Sequence, residues 1–292
     1  MAPARVTRMA TRLSYATDLT DAEWAILEPL IPAPAPNGRP VDYARREIVN
    51  AIRYILRAGC AWRLLPHDLP PYPIVYYYFK TWRDDGTWER ALTALRGKVR
   101  RAAGRKTQPT AASIDSQSVK MVDQAGPRGY DGGKKLTGRK RHLLVDTLGM
   151  LLGIVVTAAS MSDITGAHLL LAQALPALPR LRKIWADASY RGAALREWVA
   201  AHGRAVVEVV EHLVPVHQFL LLPRRWVAER TFGWLNRYRR LSKDYEVLPA
   251  TSEAMIKVAN INLMTQRLAR QRAERRRAKR QVRRQALQRA SP

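Results

Sequence analysis

Lys183-Ile184-Trp185-Ala186-Asp187-Ala188-Ser189-Tyr190-Arg191-Gly192 reads as a short apolar strand that ends on a carboxylate and runs into small polar residues and a glycine. An earlier stretch, Ala112-Ser113-Ile114-Asp115-Ser116-Gln117-Ser118, has the same form. In α/β sheets, ligands collect beyond the carboxyl ends of strands, so two such strands side by side would place Asp115 and Asp187 on one rim. Taken singly, either aspartate reads more readily as a turn or capping residue. Around them, short apolar runs punctuated by glycine predict strands near 111–119, 140–146, 150–158, 181–188 and 205–210. Helical spacing falls between the later strands, near 164–175 and 193–201, which gives a mixed α/β order.

Upstream the pattern is helical. Thr20-Asp21-Ala22-Glu23 is a capping box before Trp24, Leu27 and Leu30, predicting a helix over 21–30. Prolines between 32 and 40 remove donors and predict a linker loop. Ile48, Ala51, Ile52, Ile55 and Leu56 form one stripe of a helix over 42–58, for which Gly59 suits the C-terminal cap. A further helix over 74–84 turns Val75, Phe79 and Trp82 inward and leaves Tyr76, Tyr77, Lys80 and Arg83 clear. Helix, turn and helix suggest a helix-turn-helix-like module whose last helix contacts DNA. The expected organisation is an extension at 1–18, a helical DNA-binding domain at 19–100, an α/β domain at 101–265 and a basic tail at 266–292.

The formal net charge of +26 points to a polyanion as the working partner. In the tail, Arg and Lys outnumber the single Glu274 by eleven to one, yet removing that tail leaves the remaining chain near +16. A solubilising tail on an unrelated enzyme therefore accounts for only part of the charge. No run approaches the roughly 18 apolar residues of a membrane span, and no signal-peptide pattern follows Arg5, Arg8 and Arg12. The expectation is a cytoplasmic protein that works without a membrane. The single Cys60 permits no internal disulfide and reads as a core residue.

DNA cleavage without a covalent enzyme intermediate commonly uses two divalent ions held by carboxylates, and magnesium prefers such hard oxygen donors. Beside Asp115 and Asp187 the third candidate is Glu229, on a helix read over 225–241. Its neighbours on that helix, Arg225, Trp226, Phe232, Gly233 and Asn236, mix cation and aromatics in a way that fits a DNA-facing surface better than a core stripe. A solvated acid paired with Arg225 is the alternative. Asp146 and Asp163 read as structural, with a supporting place at the site as the alternative. The basic stretch Arg139-Lys140-Arg141 reads either as phosphate contacts or as a solvated hairpin rim, with His142 beside it.

Five stretches carry a resemblance: 59–66 (Gly-Cys-Ala-Trp-Arg-Leu-Leu-Pro), 114–120 (Ile-Asp-Ser-Gln-Ser-Val-Lys), 138–142 (Gly-Arg-Lys-Arg-His), 185–187 (Trp-Ala-Asp) and 224–232 (Arg-Arg-Trp-Val-Ala-Glu-Arg-Thr-Phe). With these the chain resembles bacterial insertion-sequence transposases of the group typified by insertion sequence five, within the D-D-E transposases, from about Leu19 to Leu268. The resemblance implies a ribonuclease H-like core with Asp115, Asp187 and Glu229 as the catalytic, metal-binding triad. It also implies two divalent ions, Mg2+ or Mn2+, and DNA partners comprising terminal inverted repeats and target DNA. Assembly as a homo-oligomer on DNA is expected too. Arg225 and Glu229 fit the family's tyrosine-arginine-glutamate-lysine spacing. Leu222 and Asn236 stand in place of the tyrosine and lysine, with Arg237 one position later. Expected DNA contacts are Tyr76, Tyr77, Lys80, Arg83, Arg139, Lys140, Arg141, Arg225, Trp226 and Arg237. Two rival readings stay open: a structure-selective nuclease on the same fold, and a catalytically dead DNA-binding regulator.

Overall fold

The computed structural model describes residues 12–33, 43–123, 125–210 and 226–289. Most of the predicted proline-rich linker, the first residues of the N-terminal extension, Leu222 and Arg225 lie outside the described residues. Four helices open the chain: α1 (Asp21–Leu27), α2 (Arg45–Ala58), α3 (Tyr72–Asp84) and α4 (Thr87–Ala102). The capping box of α1 is formed, with the Thr20 hydroxyl accepting from the Glu23 amide and the Glu23 carboxylate accepting from the Thr20 amide. Gly59 closes α2 in the left-handed conformation, φ 78°. Residues 59–71, with a 3-10 turn at Trp62–Leu64, join α2 to α3, a longer connection than the roughly three-to-four-residue turn of the standard motif.

A mixed sheet follows, built from β1 (Ala111–Lys120), β2 (Gly129–Asp131), β3 (Leu136–Asp146), β4 (Leu151–Ala158), β5 (Lys183–Ala186) and β6 (Val206–Val209). β3 is central: β1 runs antiparallel along one edge, while β2 and then β4 share the other. β5 pairs parallel with β1 and β6 parallel with β5. The long strands thus lie in the order β4-β3-β1-β5-β6, with β2 a short addition at the start of β3. α5 (Asp163–Ala174) and α6 (Ala193–His202) connect the later strands; α7 (Trp226–Leu235) and α8 (Pro249–Arg289) follow.

Strand alternation divides the apolar residues between two cores. Ala112, Ile114, Leu144, Ile184, Ala186 and Val207 meet α5 and α6 on one face. Leu143, Val145, Leu151 and Val156 point to the other, where they join a continuous core with α1 to α4, α7 and α8. The N-terminal helices therefore pack on the sheet rather than around a core of their own. α8 is the strut of this half: its apolar residues from Ala254 to Leu268 touch α1, α2, α3, α4 and β4.

The backbone approaches closely at Gly166 in α5. A Cβ there would lie 2.1 Å from the His142 ring, so the helix rests directly on that imidazole. His142 is fully buried, bonds Thr157 Oγ1 through Nε2 at 3.1 Å, and its pKa is pushed down by burial to about 4. An unfolded histidine titrates near 6.5, so between about pH 6.5 and 4 the unfolded chain binds the extra proton and stability falls as the pH falls. Acidifying from pH 7 to 5 should cost about 2 kcal/mol through this residue. Denaturant melts of the wild type and His142→Gln at both pH values check this, and the variant's pH dependence should be flatter by that amount.

Candidate active site

The pairing of β1 with β5 fixes two of the three candidate carboxylates. Ala111, Ala112 and Ser113 stand opposite Lys183, Ile184 and Trp185, a constant offset that carries Asp115 level with Asp187 two residues further on. Parallel neighbours in register share a face. Ile114, Ile184 and Ala186 point to the α5 and α6 side, so Asp115 and Asp187 point to the opposite one, the side of α7. Asp115 is thus not at the end of β1 but near its middle, opposite Leu143 of β3, at the place where β5 stops and the edge of β1 opens.

Local hydrogen bonds orient both side chains. Asp115 Oδ1 accepts from the Ser116 amide at 2.7 Å. Asp187 Oδ1 accepts from the Ser189 amide at 2.8 Å and from its hydroxyl at 2.5 Å, so it also caps the 3-10 turn Ala188–Tyr190. The last residue of that turn, Tyr190, is buried in the core shared with α5 and α6. Its hydroxyl pKa is raised, first by desolvation and then by the charges of Asp115, Asp163 and Asp187. The phenol oxygen lies near Ser116 but has no hydrogen-bond geometry with any described group.

Asp163 opens α5 and accepts from Ser116 Oγ at 2.7 Å, while Lys140 Nζ lies 3.3 Å from it and 3.8 Å from Asp131. Ser116 thus links Asp115, through its amide, to Asp163, through its hydroxyl. Asp163, read as structural with a supporting place at the site as the alternative, thus lies one hydrogen-bonded residue away from Asp115. Asp146 is wholly structural: buried, it pairs with Arg100 at 2.5 Å and accepts the amides of Leu148 and Met150 in the β3-β4 turn.

Glu229 is exposed on α7, which packs on β1 and β3. Gly149 sets the seat of this helix: it has φ 80°, and a Cβ there would lie 2.8 Å from the Trp234 ring. Glu229 faces an open groove of about 520 Å3, shared with Ser116, Gln117, Ser118, Lys134 and Phe232. The groove runs along the half of β1 beyond Asp115. Among the described residues, no three His, Cys, Asp or Glu side chains are grouped closely enough to hold a metal ion. The structure therefore brings Asp115 and Asp187 together and puts Glu229 on the same face, without closing the three into one cluster. All candidate donors are carboxylate oxygens, a donor set that fits a hard divalent cation.

The expected DNA contacts separate into groups. Tyr76, Tyr77 and Lys80 are exposed on α3, although Lys80 pairs with Asp84 at 2.8 Å. Arg83 is mostly withdrawn, bonding Asp84 at 2.7 Å and Thr251 at 2.6 Å, and these two cations hold the Asp84 carboxyl at about 2. Trp226 is half-buried, with the Arg230 guanidinium 4.8 Å from its ring and equally 4.8 Å from that of Trp234. Arg237 is exposed, and Arg225 lies outside the described residues.

Arg139, Lys140 and Arg141 correct the sequence reading: they line neither a phosphate-binding surface nor a solvated rim. Both arginines are 0% exposed, because β3 is paired on both edges and alternation sends them to the same face as Leu143 and Val145. Arg139 bonds the carbonyls of Pro127, Glu246 and Val247 and pairs with Asp244 at 3.2 Å. Arg141 bonds the carbonyls of Leu241 and Lys243, and burial lowers its pKa to about 10. Lys140, on the other face, is nearly buried and bonds the Met161 carbonyl at 2.9 Å. The two arginines fasten the segment between α7 and α8 to the sheet.

A mixed sheet of this order, with two aspartates level on adjacent strands and a glutamate on a helix across the same face, has the form of a ribonuclease H-like core. Two family comparisons agree with it. Residues 106–263 match the family described as "Transposase DDE domain", and residues 19–92 match one described as "Putative transposase of IS4/5 family". The chain belongs to the DDE transposase family. It is 31% identical over 131 residues to the "Putative transposase for insertion sequence element IS402" of Burkholderia cepacia, a match covering 42% of this chain and 60% of that protein. A second relative, "Insertion element IS402 uncharacterized 16.2 kDa protein" of the same organism, is 28% identical over 110 residues, 36% of this chain and 74% of its own length. Among the described residues no helix is long and apolar enough to cross a membrane.

Removing the Arg139 guanidinium would leave Asp244 buried without its partner, a change that costs about 3–5 kcal/mol in comparable sites. Arg139→Ala should therefore lower the thermal midpoint sharply, whereas Lys134→Ala, at an exposed position, should not. Near-wild-type stability with weakened DNA binding would return Arg139 to the DNA surface.

Proposed function

We propose that the chain is the transposase of an insertion sequence, binding the terminal inverted repeats, cleaving the ends of its element and joining them to target DNA. The observation that carries this reading is the β1-β5 offset, which levels Asp115 with Asp187 on the face that also bears Glu229. Asp115 and Asp187 would hold the divalent ions, Mg2+ or Mn2+, with Glu229 supplying the third carboxylate from across the groove. When bound, such ions supply an activated oxygen nucleophile and stabilise the leaving oxygen.

The chain's own residues do the positioning. The Ser116 and Ser189 amides each donate to Oδ1 of their aspartate and so hold the two carboxylates in place. The open groove between α7 and the second half of β1 offers a polar bed for a DNA strand leading to the aspartates. Tyr190 backs the carboxylates with an apolar ring and limits water access from the α5 side. Assembly of two or more copies on the element ends belongs to this reading, since two ends must be joined at one target.

A strand-transfer assay separates a transposase from a nuclease on the same fold, and metal-dependent cutting separates both from a binding-only regulator. Asp115→Asn, Asp187→Asn and Glu229→Gln each keep shape and remove a charge. Each should lower cleavage by orders of magnitude while leaving DNA binding in place, with the exposed Glu197→Gln as the unaffected control. Substantial metal-dependent cutting by any of the three variants would move the active site elsewhere.

The basic end of the chain belongs to the DNA-binding part of this reading. α8 continues as helix to Arg289, and residues 272–282 are exposed all round, with Arg or Lys at 272, 275, 276, 277, 279 and 280. If about five cations of the tail touch phosphate, truncation after residue 268 should flatten log affinity against log salt by roughly four to five units. A salt-dependence series by fluorescence anisotropy checks it, and an unchanged slope would reduce the tail to a solubilising extension.

A further inference from the structure

Away from the aspartates, α2, the turn after α7 and α8 enclose a second cavity of about 260 Å3. Four guanidiniums line it: Arg53 and Arg57 from α2, Arg237 from the turn, and Arg270 from α8, with Trp234 as an aromatic wall. No carboxylate lines it among the described residues, and none pairs there with Arg57, Arg237 or Arg270. Arg53 is 95% buried and pairs with Glu23 at 3.0 Å through Nη1, but its Nε has no partner. The Thr17 hydroxyl on the same wall is likewise buried and unpartnered. Three exposed guanidiniums, Arg57 with one nitrogen on the Arg237 carbonyl at 2.7 Å, Arg237 and Arg270, thus border one polar hollow whose lining holds no carboxylate, a setting that favours an anion.

We propose that this cavity binds a backbone phosphate of DNA, held by Arg57, Arg237 and Arg270, with Arg53 adding positive charge from behind its wall. The proposal rests on the DNA-processing reading above and adds to it a phosphate site separate from the chemistry. Its position relative to the groove follows from α7. At about 100° per residue, Trp234 on the cavity side lies roughly 140° round the helix from Glu229 on the groove side. One helix, about 10 Å across, therefore divides the two, close to three base steps of a strand at about 3.4 Å each. Beyond the cavity, Arg277 lies two turns along α8 from Arg270 and nearly in line with it, which prolongs the cationic track. A strand anchored at the cavity would be fixed in register against the groove.

The test uses the full chain and a fluorescent duplex of arbitrary sequence, measured across a salt series. The combined Arg57→Gln, Arg237→Gln and Arg270→Gln variant alters exposed side chains only, and a thermal melt verifies its fold. Loss of one phosphate contact should flatten the slope of log affinity against log salt by about one unit. Affinity should fall several-fold at moderate salt. Arg180→Gln, an exposed arginine on the turn before β5, should leave both unchanged. A slope and affinity equal to the wild type's would overturn the proposal. In a second arm, inorganic phosphate is titrated against the melting midpoint of the wild type and the combined variant. Stabilisation that needs the arginines, coupled with an unchanged DNA slope, would assign the cavity to a free anion and overturn its assignment to DNA. Failure of the wild type itself to bind the duplex would instead sink the underlying functional reading.

Discussion

The parallel pairing of β5 with the first residues of β1 is brief, three positions long, and the chemistry of the site depends on where it stops. β1 continues beyond it, tied along its other edge to β3, so the backbone at Asp115 is held from that side. β5 turns away into a 3-10 turn capped by Asp187 itself. A slip of one residue in that register would send one aspartate to the α5 face and separate the pair. Apolar residues of alternate positions, Ile114, Ile184 and Ala186, forbid the slip because it would expose them.

Charge in this chain does two opposed jobs. Arg139 and Arg141 are consumed inside, where their planar forks collect backbone carbonyls of the 239–247 segment and fix the path from α7 to α8. The cations of the arginine cavity and of the outer half of α8 remain available to a polyanion. Net charge alone does not distinguish these uses. Burial and partners do.

Much of the sheet was legible from alternation and punctuation. β1, β4, β5 and β6, with α5 and α6, fall within a few residues of the sequence reading, and the paired aspartates came from strand-end chemistry. The resemblance tied them to Glu229. α4 was not read, although Trp88, Leu92, Leu95 and Val99 are spaced as one helical stripe. α8 escaped because its apolar half and basic half differ so much in composition that they do not read as one element, yet they form a single helix. Arg139 and Arg141 could not have been placed from local sequence: a strand with alternating arginines reads as solvated, and their acceptors lie about a hundred residues away. The Ser116 link between Asp115 and Asp163 is invisible for the same reason, since it joins a strand to a helix that follows three strands later.

The central claim is that one rim of the sheet gathers Asp115, Asp187 and Glu229 around divalent ions. Iron(II) substituted at such a site, with ascorbate and peroxide, cuts the polypeptide next to the ligands that hold it, and the fragments can be sized by mass spectrometry. The account predicts cuts beside residues 115, 187 and 229, suppressed together by excess Mg2+ or Mn2+. Cuts that cluster elsewhere on the chain, or that omit 115 and 187, would contradict it.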